Sequence, residues 1–321
     1  MQTITINTMN QGYKTVVDHV LDNGILMSPR GQKCREVRPY CVRFLKPASS
    51  LYTGYSRKMS LRFYAVETLG YLAGLDTQWY AALLCDANPG MQAFLNDTTD
   101  TFDGAYGPRL AKSLSGIVDL LVRDPSSRQG VASIWAPGLR AGLQAWTKDT
   151  PCTVALSFYN SESEVMSPKL GMTVLMRSND LNWGFPYDVA AFATIQTAMA
   201  GDLGWELGPY DHIASSMHVY MGDPPGPHAP KLDSFGREYW AQEAVGDADA
   251  FVIPNPGLPI GELGKLAEIW LARLAEHRRN GKEWAVGLWS DFDPNADDEM
   301  FEGPFWDFML RCLKWRWMKG G

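Results

Sequence analysis

Residues 177–188 read RSNDLNWGFPYD, and from Tyr187 the chain runs on as YDVAAFATIQTAMAG, an apolar pattern at helical spacing to about Gly201. Upstream, TVALSFY (153–159) and KLGMTVLMR (169–177) read as strands joined by the polar turn NSESEVMSP. The arginine of the quoted segment therefore closes a strand, and its last residues open a helix. Further out, Tyr13, Val16, Val17, Val20 and Leu21 predict a helix over 11–23, which the loop SPRGQ (28–32) ends. SLRFYAVETLGYLA (60–73) is the most apolar helical stretch, with Glu67 in its middle, and Leu263, Leu266, Ile269, Trp270 and Leu274 mark an amphipathic helix over 262–279. GDPPGPHAPKLDSFG (222–236) is a loop longer than most connections, and the end, FWDFMLRCLKWRWMKGG, mixes aromatics with basic residues. Strands and helices interleave without a regular βαβ rhythm, so the expected fold class is α+β.

A chain of 321 residues, 45% apolar, has room for one large domain or two ordinary ones and is not a disordered composition. No apolar run approaches the length of a membrane span, and the first residues carry no basic-then-apolar leader, so a cytoplasmic protein without a membrane partner is expected. The formal charge of -7 argues against a general nucleic-acid binder, while leaving room for one basic pocket that holds a phosphate. The five cysteines (Cys34, Cys41, Cys85, Cys152, Cys312) form no C-x-x-C pair and the histidines no H-x-x-x-H, so neither a structural metal nor a disulfide framework is expected. No glycines lie two apart, and the phosphate-loop and G-x-S-x-G patterns are missing, which removes the common dinucleotide, NTPase and hydrolase readings.

Four segments remain: SPRGQ with Arg30; DPSSRQGVASIWAP (124–137) with Arg128, which PC (151–152) follows; RSNDLNWGFPYD (177–188); and HVY with His218 and Tyr220. Singly, each admits a plainer reading: Arg128 as a surface charge, Cys152 as core, Glu67 as a paired acid in an apolar helix. In this order, together with ETLGYLAG around Glu67 and DGAYGPRL around Tyr106, they resemble the thymidylate synthase family over roughly residues 15–222, with a divergent part from 223 to 321. The whole chain, 1–321, is expected to be one catalytic domain of that type.

The resemblance implies a large twisted mixed sheet flanked by helices, two copies packing sheet to sheet as a homodimer. It also implies a reaction at carbon 5 of a pyrimidine nucleotide, with 5,10-methylenetetrahydrofolate as one-carbon co-substrate and no metal. By family position Cys152 is the nucleophile; adding its thiolate at carbon 6 turns carbon 5 into an enamine. Arg177 is expected to lie close enough to stabilise that thiolate. Arg30, Arg177, Ser178 and, reaching across the dimer, Arg128 make the phosphate cradle. His218 and Tyr220 meet the sugar hydroxyl, and Glu67 holds the water network that moves protons on the base. Tyr106, Asp180 and Gly184 lie near the folate, and Arg57 near its glutamate tail.

The departures are informative. The family's base reader is the asparagine ending P-F-N, and here Asp188 stands there. A carboxyl group accepts from the amine of cytosine and, with one shared proton, bridges to ring nitrogen 3. Against the 4-oxo group of uracil it is acceptor facing acceptor, a penalty of roughly 1–3 kcal/mol. The helix beginning there favours the ionised form, so the proton is expected to belong to the base and carboxyl jointly. The stretch 86–105 has Phe94 and no tryptophan, and the chain ends WMKGG, which implies a wetter site where water adds to give hydroxymethyl instead of methyl. PCT replaces P-C-H and SRQ replaces S-R-R, through Thr153 and Gln129, and Ser178 favours a deoxyribose substrate. The expectation is a deoxycytidylate (dCMP) 5-hydroxymethyltransferase. Its rivals are a CMP hydroxymethylase, a dCMP or dUMP methylase, and a non-catalytic nucleotide-binding relative.

Overall fold

The computed structural model describes residues 2–54, 59–135, 149–162, 167–221, 251–280 and 299–314. The long loop 222–236 lies outside them. One mixed sheet carries six strands in the order β1 (Gln2–Ile6), β4 (Tyr40–Phe44), β9 (Glu206–Ala214), β7 (Lys169–Met176), β6 (Thr153–Asn160) and β5 (Val131–Ser133). The pairs β1–β4 and β9–β7 are parallel, and the rest antiparallel. A smaller sheet orders β2 (Ile25–Met27), β3 (Cys34–Val37), β10 (Met217–Tyr220) and β8 (Asn179–Asp180). Mixed sheets flanked by helices meet the α+β expectation.

Helices cover one face of the large sheet. α5 (Gly184–Leu203) is buried along most of its length and carries Phe185, Val189, Phe192 and Ile195 against the inward residues of β7 and β9. It starts three residues before the expected Tyr187, because the turn built on Asp180 delivers the chain into helix at Gly184. α2 (Leu61–Ala73) packs against α3 (Gln78–Ala87), α4 (Gly107–Arg123), α5, α6 (Ile260–Asn280) and α7 (Pro304–Lys314), which explains an apolar surface all round. Its first turn is capped by the Ser60 side chain, which accepts from Phe63 N. α1 (Met9–Asn23) and α6 follow the expected helices closely. The aromatic end of the chain is in part core: Phe305, Trp306 and Phe308 of α7 are buried, and Phe308 meets Tyr64 of α2 edge to face.

Four of the cysteines are buried and free, and Cys152 alone is half-buried. Among the described residues no helix is long and apolar enough to cross a membrane, and no cluster of metal-ligating side chains occurs.

Candidate active site

A cavity of about 310 Å³ opens where the end of β7, the start of β6, β8 and the heads of α4 and α5 meet α2. Cys152, Glu67, Tyr106 and Asp188 line it, as do Arg30, Arg177, Ser178, His218 and Tyr220, together with Asp180 and Gly184. The residues chosen from sequence are thus brought to one place from across the chain, with two exceptions. Arg57 lies outside the described residues. Arg128 is exposed between α4 and β5 and is not part of its own chain's cavity lining.

Cys152 sits one residue before β6, and its position is over-determined by backbone bonds. Its own N–H and that of Thr153 both donate to the Tyr106 hydroxyl, each at 3.2 Å, and its carbonyl accepts from Arg177 N at 2.8 Å. Tyr106, expected near the folate, therefore also braces the backbone at Cys152, with its ring stacked on Tyr71. The Arg177 guanidinium donates to the carbonyls of Pro151 (2.8 Å) and Thr150 (2.9 Å) and reaches 3.5 Å from the Cys152 sulfur. That proximity was expected; its net effect was not. Burial pushes the thiol up to about 11, Arg177 pulls it down, and Asp188, Asp149 and Asp180 push it up again. Burial outweighs the arginine, so the resting sulfur is a thiol.

Two carboxyls face the same space from different helices. Burial, with the Asp188 charge adding to it, raises Glu67 to about 8, against a hydrogen bond from Tyr71. Burial raises Asp188 to about 7, and a 2.7 Å hydrogen bond from Asn179 Nδ2 to Oδ2 opposes that rise. Here the expected pull of the helix end towards the ionised form is outweighed by removal from water. Both groups change protonation near neutrality, which suits them to hold and pass protons. Their helices are tied together: Ser60 N, at the head of α2, donates to the Tyr187 hydroxyl of α5 at 2.8 Å.

The basic end of the cavity combines Arg30, Arg177 and Ser178. Arg30 adopts φ 52°, in the left-handed region that non-glycine residues rarely occupy, and its guanidinium bonds the Tyr220 side chain. His218 packs edge to face on Tyr220, and its buried Nδ1 has no partner among the described residues, which leaves it for a ligand. Asp180 accepts from the backbone of Asn182 (3.0 Å) and Trp183 (3.2 Å), so this acid shapes the turn as well as lining the cavity. The opposite end is apolar, with Leu75, Leu84, Met91, Phe94 and Phe102. Trp183, whose ring lies 5.7 Å from that of Phe94, gives the cavity a tryptophan from outside the stretch 86–105.

Sequence reasoning passed over Asn179, His212, Tyr210 and Asp149. Asn179 stood inside the quoted segment at a position without an assigned role. Tyr210 and His212 alternate inward along β9, and a strict period-two reading of LGPYDHIA would have placed both on the core face. Asp149 lines the cavity and accepts from Gly104 N at 2.8 Å; nothing in its local sequence marks it.

A thiol fixed by backbone bonds, two proton-holding carboxyls, arginines and an apolar wall around one cavity define a site of enzymatic type. Residues 11–233 match the family described as thymidylate synthase, and the chain belongs to that family. It is similar to the deoxyuridylate hydroxymethyltransferase of Bacillus phage SP01, 33% identical over 239 residues, which are 70% of this chain and 60% of that protein. It is also similar to the deoxyuridylate hydroxymethyltransferase of Pseudomonas phage M6, 29% identical over 188 residues, 57% of this chain and 51% of that protein. The chain thus spans between about half and three fifths of the length of these relatives.

Proposed function

We propose that this chain transfers a one-carbon unit from methylenetetrahydrofolate to carbon 5 of dCMP, with addition of water, giving 5-hydroxymethyl-dCMP. The observation that carries the reading is Asp188: a carboxyl lining the cavity that also holds Cys152, raised to about 7, with an amide N–H donated to Oδ2. A carboxyl that carries a proton near neutrality presents one donor and one acceptor, the complement of the cytosine edge. Cys152 would add to carbon 6 as Glu67 passes a proton to the base, and Arg177 would stabilise the sulfur as it ionises. Arg30, Arg177 and Ser178 would hold the phosphate, and His218 and Tyr220 the sugar. The apolar wall from Leu75 to Trp183 would take the pterin of a folate, with Asp180 and Gly184 beside it; the family resemblance assigns Arg57 to its glutamate tail. When bound, the folate supplies an electrophilic methylene. The family also favours a sheet-to-sheet homodimer in which Arg128 serves the partner's phosphate.

The names of the two phage relatives support a hydroxymethyl product and favour a second reading, in which the base is uracil. Incubation with dCMP, CMP or dUMP, followed by mass spectrometry, decides between these. The expected product is dCMP plus one formaldehyde unit; a gain of one methylene unit marks a methylase, and exclusive turnover of dUMP overturns the cytosine assignment. Release of tritium from carbon 5 of dCMP, lost in Cys152→Ala, separates catalysis from binding alone.

A further inference from the structure

Behind Asp188 runs a buried chain of hydrogen bonds. The Tyr210 hydroxyl lies 2.8 Å from His212 Nδ1, His212 Nε2 lies 2.9 Å from Asn179 Oδ1, and Asn179 Nδ2 lies 2.7 Å from Asp188 Oδ2. Tyr210 and His212 are fully buried, and Asn179 nearly so. Tyr210 and His212 point inward from β9, whose Tyr210 and His212 pair with Met172 and Val174 of β7, and Asn179 projects from β8. Their polarity follows from counting protons. Among the described residues the Tyr210 hydroxyl has no other partner, so it donates to Nδ1. His212, held neutral by burial, then carries its proton on Nε2 and donates to Asn179 Oδ1. The amide is thereby turned so that its N–H groups face Asp188. Run in reverse, the relay would strand the Tyr210 proton and consume the Asp188 proton on Asn179.

Gly184 is built around this bond. A Cβ there would stand 3.0 Å from Asn179 Nδ2 and 3.2 Å from Asp188 Oδ2.

We infer that Tyr210, His212 and Asn179 are positioning residues that set base specificity, by making Oδ2 of Asp188 an acceptor and assigning its proton to Oδ1. The inference rests on the cytosine reading above. In it, Oδ2 accepts from the 4-amino group as well as from Asn179, and Oδ1–H donates to ring nitrogen 3. Uracil inverts the requirement: the proton would have to sit on Oδ2, the oxygen into which Asn179 already donates. The other groups facing this carboxyl are Glu67 and Tyr71 from α2, Tyr106 at the head of α4, Cys152 ahead of β6, and Tyr210 itself.

The test compares wild type with Asn179→Ala and Tyr210→Phe in the full chain, measuring kcat/KM for dCMP and dUMP across pH. In Asn179→Ala the dCMP-to-dUMP ratio falls about tenfold, and the alkaline limb for dCMP moves up by about one pH unit as the carboxylate loses a donor. Tyr210→Phe, which removes one oxygen remote from substrate, moves both readouts the same way by about a third as much. A structural role alone lowers both substrates equally and leaves the limb in place; that result in both variants overturns the relay. A wild type that prefers dUMP overturns the base assignment, and the relay's service to cytosine falls with it. A wild type that prefers dCMP with unchanged ratios in the variants removes the relay and leaves the base assignment standing.

Discussion

At the scale of single residues, the site concentrates groups whose charged forms burial disfavours. Glu67 and Asp188 are raised to about 8 and about 7, and His212 is lowered to about 3, all mainly by removal from water. The consequence for stability has a sign. The folded chain keeps protons on the two carboxyls that the unfolded chain releases above about pH 4, so raising the pH favours unfolding. His212 works in the other direction, but only below about pH 6.5, where the unfolded chain takes up a proton the folded one refuses. The ligand-free protein is therefore expected to lose stability as pH rises from about 5 to 8, most steeply between about 6 and 7. The loss amounts to a few kcal/mol, since each tenfold difference in proton affinity between the folded and unfolded chain is worth about 1.4 kcal/mol. Thermal unfolding across that range checks it: the double variant Glu67→Gln, Asp188→Asn should flatten the slope, and an unchanged slope would place the buried protons elsewhere.

At the scale of elements, α1, α2, α5 and α6 and the strands β6 and β7 follow from sequence because their period is local: Val16, Val17 and Val20 make α1, and TVALSFY makes β6; α3, α4 and α7 are not among the expected helices. The short strands β2, β3, β8 and β10 do not follow from sequence, since their identity depends on partners far along the chain, as in His218 facing Glu36 and Asp180. The site was legible for the same reason as the helices: Cys152, Asp188 and His218 sit in short contiguous patterns. Asn179, His212 and Tyr210 were hidden because their relation exists only across strands. The junction before α4 shows how an element can carry function. A Cβ on Gly107 would come within 2.8 Å of the Gly70 carbonyl and the Leu75 amide, backbone atoms that cannot swing aside. Because Tyr106 precedes it directly, Gly107→Ala must push α4 from α2 and draw the Tyr106 hydroxyl off the Cys152 and Thr153 amides. The expected outcome is a stability loss of about 1–3 kcal/mol by urea titration, with a kcat loss of about tenfold or more. Full kcat in a destabilised variant would show that the brace is not needed.

At the scale of the molecule, one face of the six-stranded sheet is left exposed by the described residues, and a second copy of the chain is the partner we propose for it. Side chains that share this face include Val131, Ser157, Thr173 and Leu175, and across β9 and β4 the paired Asp211 and Arg43, joined by two 2.7 Å bonds. Val131 is 48% exposed and Leu175 41%, a loss of apolar burial that a second sheet would recover. Arg128 stands three residues before Val131, is exposed, and does not line its own chain's cavity. If two chains pack through this face and each Arg128 completes the other's phosphate cradle, Arg128→Ala and Cys152→Ala should each be nearly inactive alone. Mixed one to one and allowed to exchange, half the dimers would be hybrids, each with one intact site formed by Cys152 of one chain and Arg128 of the other. Activity should then return to about a quarter of wild type by statistics alone. Exchange confirmed by mass spectrometry without recovered activity would confine Arg128 to its own chain, and sedimentation as a monomer would remove the shared site altogether.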